Sequence, residues 1–309
     1  MTLINPPLLT HGGTHAARAF RMMVRDLARG SQGVTEGNDL KVSQQATPGA
    51  GVRVGDGSGV IRGTAWGQGS YTQYNVGDAT VPIAPTGATA RSDLLVLRVE
   101  DPEYEGTRNP ETDEIGFFHA VSNVSATATA PPSGMTAIPL ARIDIPANTS
   151  VITNSMIKEL RQIANPRRDR RLYTAFPSAA STLGYSDNKW HVWPTAARWN
   201  IPVPSWATSA KIVTTITGLA LRRADVFALM RNVLGGTTGQ HIAIDDDQGT
   251  GTRRNTVVVA DALAVPAALR GTSVPVYTET YMYKSETGDL VVDGATTFIC
   301  DVEFTEGVV

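Results

Sequence analysis

Residues 297–304 read Thr-Phe-Ile-Cys-Asp-Val-Glu-Phe, and this stretch decides the class of fold. Apolar side chains recur at every second position: Phe298, Cys300, Val302 and Phe304. In an extended strand these four share one face, whereas Asp301 and Glu303 lie on the other. The pattern therefore predicts a strand with one buried face, in an antiparallel sheet.

The same texture extends through the C-terminal half of the chain. Further strands are predicted at 211–217, 240–244, 256–259 and 274–283. Turns that contain Gly and Asp separate them, and threonine, which suits strands, is abundant. The pattern predicts an antiparallel β-sandwich of jelly-roll type over residues 173–309. Residues 223–234 fit either a helix or a strand.

The N-terminal half mixes one helix with short strands. Ala16, Phe20, Met23, Val24 and Leu27 recur at helical spacing, and short alternating runs punctuated by glycine follow. The apolar run 94–99 predicts a strand that is buried on both faces. A second helix is expected at 153–164. The fold is thus expected to be mainly β with a few helices: an α+β domain over 1–165, an Arg-rich linker over 166–172, and the sandwich.

Composition excludes several classes of protein. The chain has 309 residues and a formal net charge of -2, with 27 Lys+Arg against 29 Asp+Glu. A balanced charge argues against a nucleic-acid partner, and the absence of a long apolar run argues against a membrane span. The single cysteine, Cys300, excludes an intrachain disulfide, so this is not a disulfide-stapled scaffold.

Catalytic motifs are missing from the sequence. It has no G-x-S-x-G nucleophile motif and no phosphate-binding loop. We therefore expect no enzyme activity, no catalytic residue, no cofactor and no metal. Asp245, Asp246 and Asp247 leave one question open, because three carboxylates beside a glycine turn suit Ca²⁺. A solvated hairpin tip is the preferred interpretation, because the ligand spacing of an EF-hand is absent.

Aromatic residues are concentrated at the start of the C-terminal domain: Tyr185, Trp190, Trp193, Trp199 and Trp206. In one interpretation they fill the core or a subunit interface. In the other, some of them are exposed and stack on the sugar rings of a surface glycan. The candidate contact residues for such a glycan are Tyr185, Trp190, His191 and Trp193.

A basic cluster follows the second predicted helix. It consists of Arg167, Arg168, Arg170 and Arg171. Cations are favourable near the C-terminus of a helix. The cluster also suits an ionic contact with acidic loops of another subunit, so these four residues are candidate inter-subunit contacts.

Several ordered motifs in the N-terminal half resemble those of one family. They include 15–21 (His-Ala-Ala-Arg-Ala-Phe-Arg), 91–99 (Arg-Ser-Asp-Leu-Leu-Val-Leu-Arg-Val) and 157–161 (Ile-Lys-Glu-Leu-Arg). Over about residues 1–165 the chain resembles the baseplate or minor tail proteins of tailed bacteriophages, in particular upper baseplate proteins. Glu159 stands where that family usually has Asp.

The resemblance implies a structural component of the virion, at the tail tip or baseplate, assembled in the host cytoplasm. Its N-terminal domain would anchor to the tail, and its C-terminal domain would serve assembly or host attachment. The expected partners are other tail and baseplate proteins and further copies of the chain itself, for which a homotrimer is our hypothesis. The alternative is a glycan-binding attachment module that uses the Trp-rich segment 185–206.

Overall fold

The structure is a computed structural model, and it describes residue 4 and residues 6–184, 188–247, 249–283 and 287–309. The chain forms two compact units. Unit 1 comprises Met1–Pro166 and Val308–Val309, and unit 2 comprises Arg167–Gly307. Within the described ranges, no helix has the length and apolar character needed to cross a membrane.

Unit 1 combines a single described α-helix with ten strands. These elements are α1 (Ala17–Leu27), β1 (Gly33–Val34), β2 (Val42–Gly49), β3 (Gly51–Val54), β4 (Gly57–Arg62), β5 (Ser70–Asn75), β6 (Ala79–Pro82), β7 (Arg91–Val99), β8 (Gly116–Val124), β9 (Ala137–Ile145) and β10 (Ile157–Glu159). The strands form three antiparallel sheets, in the orders β1-β4-β5, β2-β3-β6 and β10-β9-β7-β8. Short 3-10 helices lie at Trp66–Gln68 and Asn154–Met156.

Strand β7 lies at the centre of unit 1, as its continuous apolar run predicts. It pairs with β8 on one side and β9 on the other. Leu95 and Leu97 belong to the main core of the unit, whereas Leu94 and Val96 pack in a smaller cluster on the opposite face. Because both faces are covered, the strand needs no polar alternation.

The predicted second helix at 153–164 is wrong. The segment forms a 3-10 turn and then β10, which pairs with β9. Its apolar residues do not line one stripe: Ile157 packs against the main core of unit 1, and Leu160 against the smaller cluster. Extended backbone points successive side chains to opposite sides, so this segment can pack against both clusters. A helix would present its apolar side chains on one face only.

Unit 2 is built from strands. They are β11 (Arg168–Ala175), β12 (Ser181–Leu183), β13 (Trp190–Val192), β14 (Arg198–Pro202), β15 (Ser209–Arg222), β16 (Val226–Leu234), β17 (Thr237–Asp246), β18 (Arg253–Ala264), β19 (Ser273–Met282), β20 (Asp289–Val292) and β21 (Thr297–Thr305). A 3-10 turn lies at Ala267–Leu269. Strand β16 decides the open question at 223–234 in favour of a strand.

The strand order in unit 2 is that of a jelly roll. In one sheet, here the β15 sheet, β15 pairs with β18 on one edge and with β21 and β20 on the other, and β11 and β12 lie beyond these. In the other, the β16 sheet, the order is β17-β16-β19, with β13 and β14 both on β19. The eleven strands occupy eight positions in chain order: β11 with β12 is position 1, β13 with β14 is 2, β15 to β19 are 3 to 7, and β20 with β21 is 8. In these positions the β15 sheet runs 1-8-3-6 and the β16 sheet runs 2-7-4-5, which is the jelly-roll arrangement. The mainly β fold and the predicted sandwich are confirmed.

The core of unit 2 lies between the two sheets. Phe298, Cys300, Val302 and Phe304 are all fully buried there, as their alternation predicts. Burial raises the pKa of the Cys300 thiol to about 12. The thiol therefore stays protonated at neutral pH and packs as a small apolar group.

The segment predicted as a linker, 166–172, is largely part of this sandwich. Residues 168–172 form the first half of β11, and they pair in register with β21. The exposed and half-buried residues alternate along β11. A charged strand at the edge of a sheet is a common natural arrangement, because charge discourages further strand pairing. The Arg-rich composition therefore marks an edge strand, and the prediction of a linker is corrected.

Candidate functional site

An aromatic row crosses the outer face of the β16 sheet. Strand alternation in β19 turns Thr278 and Thr280 into the core and leaves Tyr281 on the outer face. Five rings follow one another across the sheet, and we call them the aromatic row: Phe227, Tyr283, Tyr281, Trp190 and His241. Their centroids are separated by 4.9 Å, 5.1 Å, 5.7 Å and 6.2 Å in that order. These spacings lie within the favourable range for aromatic pairs.

Trp190 is the most constrained member of the row. It lies opposite Tyr281 across the β13–β19 pair. The Arg231 guanidinium lies 4.1 Å from the centroid of the Trp190 ring, a cation–π contact. Arg231 is held in turn by Glu279, with 2.7 Å between Nη2 and Oε2. The half-buried Trp190 ring is thus fixed before any ligand arrives.

The row combines flat apolar faces with a small set of polar groups. Trp190, Tyr281 and Tyr283 are half-buried, and His241 is exposed. Arg231 and Glu279 supply a hydrogen-bond donor and an acceptor beside the rings. A sugar ring has an apolar C–H face and a rim of hydroxyls, and it matches such a surface.

The predicted ligand residues are only partly brought together. Trp190 belongs to the row, and His191 follows it in β13 and so points to the opposite face. Trp193 is only 4 % exposed, and its indole N–H donates to Ser181 Oγ at 3.1 Å. A ring buried in this way is not accessible to a ligand, which removes Trp193 from the candidate set. Tyr185 lies outside the described residues.

Sequence reasoning missed most of the aromatic row. Tyr277, Glu279, Tyr281 and Tyr283 alternate with residues of apolar or threonine type, so period-two analysis of 274–283 gives their shared face. The shared face of Phe227 and Arg231 follows only from the strand interpretation of 223–234, and the sequence also fits a helix there. The pairing of β13 with β19 leaves no trace in the sequence, because the strands are far apart along the chain.

Each arginine of the basic cluster has a carboxylate partner within unit 2. Arg167 pairs with Glu306, Arg168 with Glu303, Arg170 with Asp301 and Arg171 with Asp169. Hydrogen bonding from Arg170 lowers the pKa of Asp301. Arg168 and Arg170 are 65 % and 68 % exposed, and such surface pairs contribute little to stability. That the cluster contacts another subunit stays a prediction.

The three aspartates at 245–247 do not converge. Asp245 and Asp246 are the last two residues of β17, so their side chains point to opposite faces, and Asp247 follows the strand. Asp246 is 8 % exposed and accepts a hydrogen bond from Arg253 Nε at 3.1 Å, whereas Asp245 is exposed on the other face. Within the described ranges, no group of three or more His, Cys, Asp or Glu residues is arranged to hold a metal ion.

The matches to known proteins come from solved structures. No protein-family model matches the chain, and no curated protein matches it. Among solved structures, the subviral particle of VP2 from infectious bursal disease virus matches at 14 % identity, with 90 % of this chain and 78 % of that chain covered and a TM-score of 0.25.

Two further solved structures match at a similar level. The T13 viral particle of the same virus matches at 13 % identity, with coverages of 94 % and 80 % and a TM-score of 0.27. Dimeric latent PorU from Porphyromonas gingivalis matches at 10 % identity, with coverages of 89 % and 21 % and a TM-score of 0.27. TM-scores this low do not establish a shared fold.

Proposed function

We propose that this chain is a structural, non-catalytic subunit of a viral particle, located in the tail tip or baseplate of a bacteriophage. Unit 1 docks to the tail, and unit 2 contacts neighbouring subunits or the host surface. The observation that carries the proposal is the ordered set of motifs in residues 15–161 that resembles phage baseplate and minor tail proteins. A jelly roll suits the role of unit 2, since viral capsid and lectin domains use this architecture.

The motif residues form ion pairs and hydrogen bonds that hold unit 1 together, which supports a structural role for this unit. Arg91 forms a two-pronged ion pair with the buried Asp93 and also donates to the carbonyl of Ala84. Arg161 does the same with Glu159, and its guanidinium reaches the carbonyl of Asp39 at 2.6 Å. In both motifs the arginine therefore pairs with the carboxylate two residues away and also bonds a backbone carbonyl of another segment. Glu159, which stands where that family usually has Asp, accepts both hydrogen bonds of this pair.

The test of the particle role is co-purification. Particles of the virus that encodes this chain are separated on a density gradient, and each fraction is probed with an antibody against the chain. We expect the chain in the fractions that contain infectious particles, at constant ratio to the main structural protein. If the chain stays entirely in the soluble fractions, the proposal is wrong.

We further propose that the chain forms a closed symmetric homo-oligomer, as most soluble oligomers do, and our hypothesis is a homotrimer. Mass measurement of the purified protein at micromolar concentration tests this. A mass of three chains is expected, and a stable monomer would contradict it.

A second candidate function is glycan binding by the aromatic row, and the fixed Trp190 ring favours it. The test is a glycan array or a pull-down with host cell wall. We expect Trp190→Ala and Tyr281→Ala each to weaken binding about ten-fold, or ~1.4 kcal/mol. Tyr74→Ala is the matched control, since Tyr74 is an exposed aromatic of unit 1. Unchanged binding by both row variants would remove this candidate.

A further inference from the structure

Unit 1 contains a basic pocket of about 350 Å³ beside the C-terminal half of α1. Its lining includes Arg25, Gln32, Arg62, Trp66 and Met135. Trp66 is 71 % exposed, and the Arg25 guanidinium lies 5.0 Å from the centroid of its ring. The pocket thus offers a cation and an open aromatic face at one place.

The two arginines of this pocket lack a carboxylate partner within the described part of the chain. Arg18 and Arg21, on the same helix, both pair with Glu103. The Arg25 guanidinium contacts the Trp66 ring, and Arg62 donates to the carbonyl of Gly30 at 3.3 Å. A guanidinium presents several donors in a planar fork that matches a carboxylate. Two unpaired guanidinium groups on one pocket therefore point to an acidic ligand.

The same unit presents an acidic tip of complementary chemistry, residues 109–114, Asn-Pro-Glu-Thr-Asp-Glu. Asn109 closes this loop: its backbone N–H donates to Asp113 Oδ2 at 2.8 Å, and its Oδ1 accepts from the backbone of Glu111 at 3.0 Å. All six residues are exposed. The carboxylates of Glu111 and Glu114 make no ion pair within the described ranges. The tip is therefore preorganised, with its acidic groups unused.

We propose that the basic pocket receives the acidic tip of a second copy of this chain. Glu111 and Glu114 pair with Arg25 and Arg62, and the exposed Pro110 ring packs on the open face of Trp66. Pocket and tip are different patches of one subunit, so the contact is heterologous and closes a ring when the rotation permits. This inference rests on the proposed homo-oligomer and identifies its contact.

Charge reversal on each side, alone and together, tests the contact. The pocket variant carries Arg25→Glu with Arg62→Glu, the tip variant carries Glu111→Lys with Glu114→Lys, and a third protein carries all four changes. We expect each two-site variant to associate at least ten-fold more weakly by sedimentation at micromolar concentration, and the four-site variant to regain association. Arg29→Glu is the matched control, because Arg29 is exposed at the end of α1 but does not line the pocket.

The outcomes separate this inference from the proposed function. An oligomer that all variants retain unchanged overturns the pocket contact while the homo-oligomer stands. A monomeric wild-type protein overturns both. Weakening in the two-site variants without recovery in the four-site variant also overturns the inference, provided that thermal unfolding shows all variants to be folded. Association that weakens with added salt in the wild type and recovers in the four-site variant supports it.

Discussion

Trp190 and Trp193 lie three positions apart in the sequence and have opposite roles. Trp190 lies on the outer face of the β16 sheet against Arg231. Trp193 follows the end of β13 and enters the core, where its carbonyl accepts hydrogen bonds from the hydroxyls of Thr278 and Thr280 at 3.0 Å each. A cluster of tryptophans in a sequence does not show which ring is buried, because this depends on where the strand ends.

These placements predict different effects on stability. Trp193→Ala removes a buried ring, so we expect it to lower the free energy of unfolding by about 3–5 kcal/mol. Trp190→Ala removes a half-buried surface ring and is expected to cost about 1 kcal/mol or less. Urea denaturation of unit 2, followed by near-ultraviolet circular dichroism, measures both. Equal shifts would contradict the assignment of the two rings.

Asn232 is the polar link inside the unit 2 core. It is fully buried on β16, accepts from Thr214 Oγ1 at 2.7 Å, and donates to the carbonyl of Val259 at 2.9 Å. It thereby joins the two sheets. Asn232→Ala removes both hydrogen bonds and leaves the buried Thr214 hydroxyl with only the weaker Cys300 Sγ contact at 3.9 Å, so we expect a loss of about 1–3 kcal/mol. Thr238→Ala, at an exposed position on the neighbouring strand, should leave the urea midpoint unchanged; equal midpoints for both variants would refute the link.

At the scale of the elements, strands that alternate between apolar and polar residues were predictable. Segments whose apolar side chains pack into two different clusters were not. Strands β19 and β21 each have one buried face, so period two is visible in the sequence. The segment 153–164 carries apolar residues for two separate clusters. Its spacing therefore imitated a helix, and tertiary packing overrode the local pattern.

Strand β15 contains a bulge that depends on one glycine. Its register shifts between Ile216 and Leu219, near the point where its partner changes from β21 to β20. Gly218 has φ +70, and an added Cβ would lie 2.2 Å from the carbonyl oxygen of Ala295. We expect Gly218→Ala to destabilise unit 2 by more than about 1 kcal/mol. Gly236→Ala is the control, since Gly236 has positive φ but open space; an equal effect would contradict the close approach.

Helix α1 is held to unit 1 by an ionic clamp. The Arg21 guanidinium lies 5.5 Å from the centroids of both the Tyr71 and Tyr104 rings, and Arg18 and Arg21 both bond Glu103. Burial of Glu103 raises its pKa, but hydrogen bonds from Arg21 and Arg18 outweigh it and hold the pKa below the ordinary 4.5. Its stabilising effect is therefore present above pH 4.5 and is lost as pH falls through the lowered value.

This clamp predicts acid loosening of α1. Amide exchange in α1, corrected for the intrinsic rate, should show weaker protection at pH 3 than at pH 6, while β7 stays protected. Glu103→Gln should loosen α1 already at pH 6 and reduce the pH dependence. The same protection of wild-type α1 at both pH values would contradict the clamp.

At the scale of the whole molecule, each unit has its own apolar core. The sequence was sufficient for the sandwich of unit 2. It was insufficient for the aromatic row, because Trp190, Arg231 and Tyr281 come together only through the pairing of distant strands. The sequence was also insufficient for the basic pocket. Which arginines lack a carboxylate partner is visible only when the ion pairs of the folded chain are known.

The most direct test of the central claim is to locate the chain on a particle. Purified particles of the virus that is proposed to encode the chain are imaged by electron microscopy after labelling with a gold-tagged antibody fragment against unit 2. The proposed role predicts label at one end of the tail on most particles. Absence of label from intact and from disrupted particles, with the same antibody detecting soluble chain in the lysate, would contradict it.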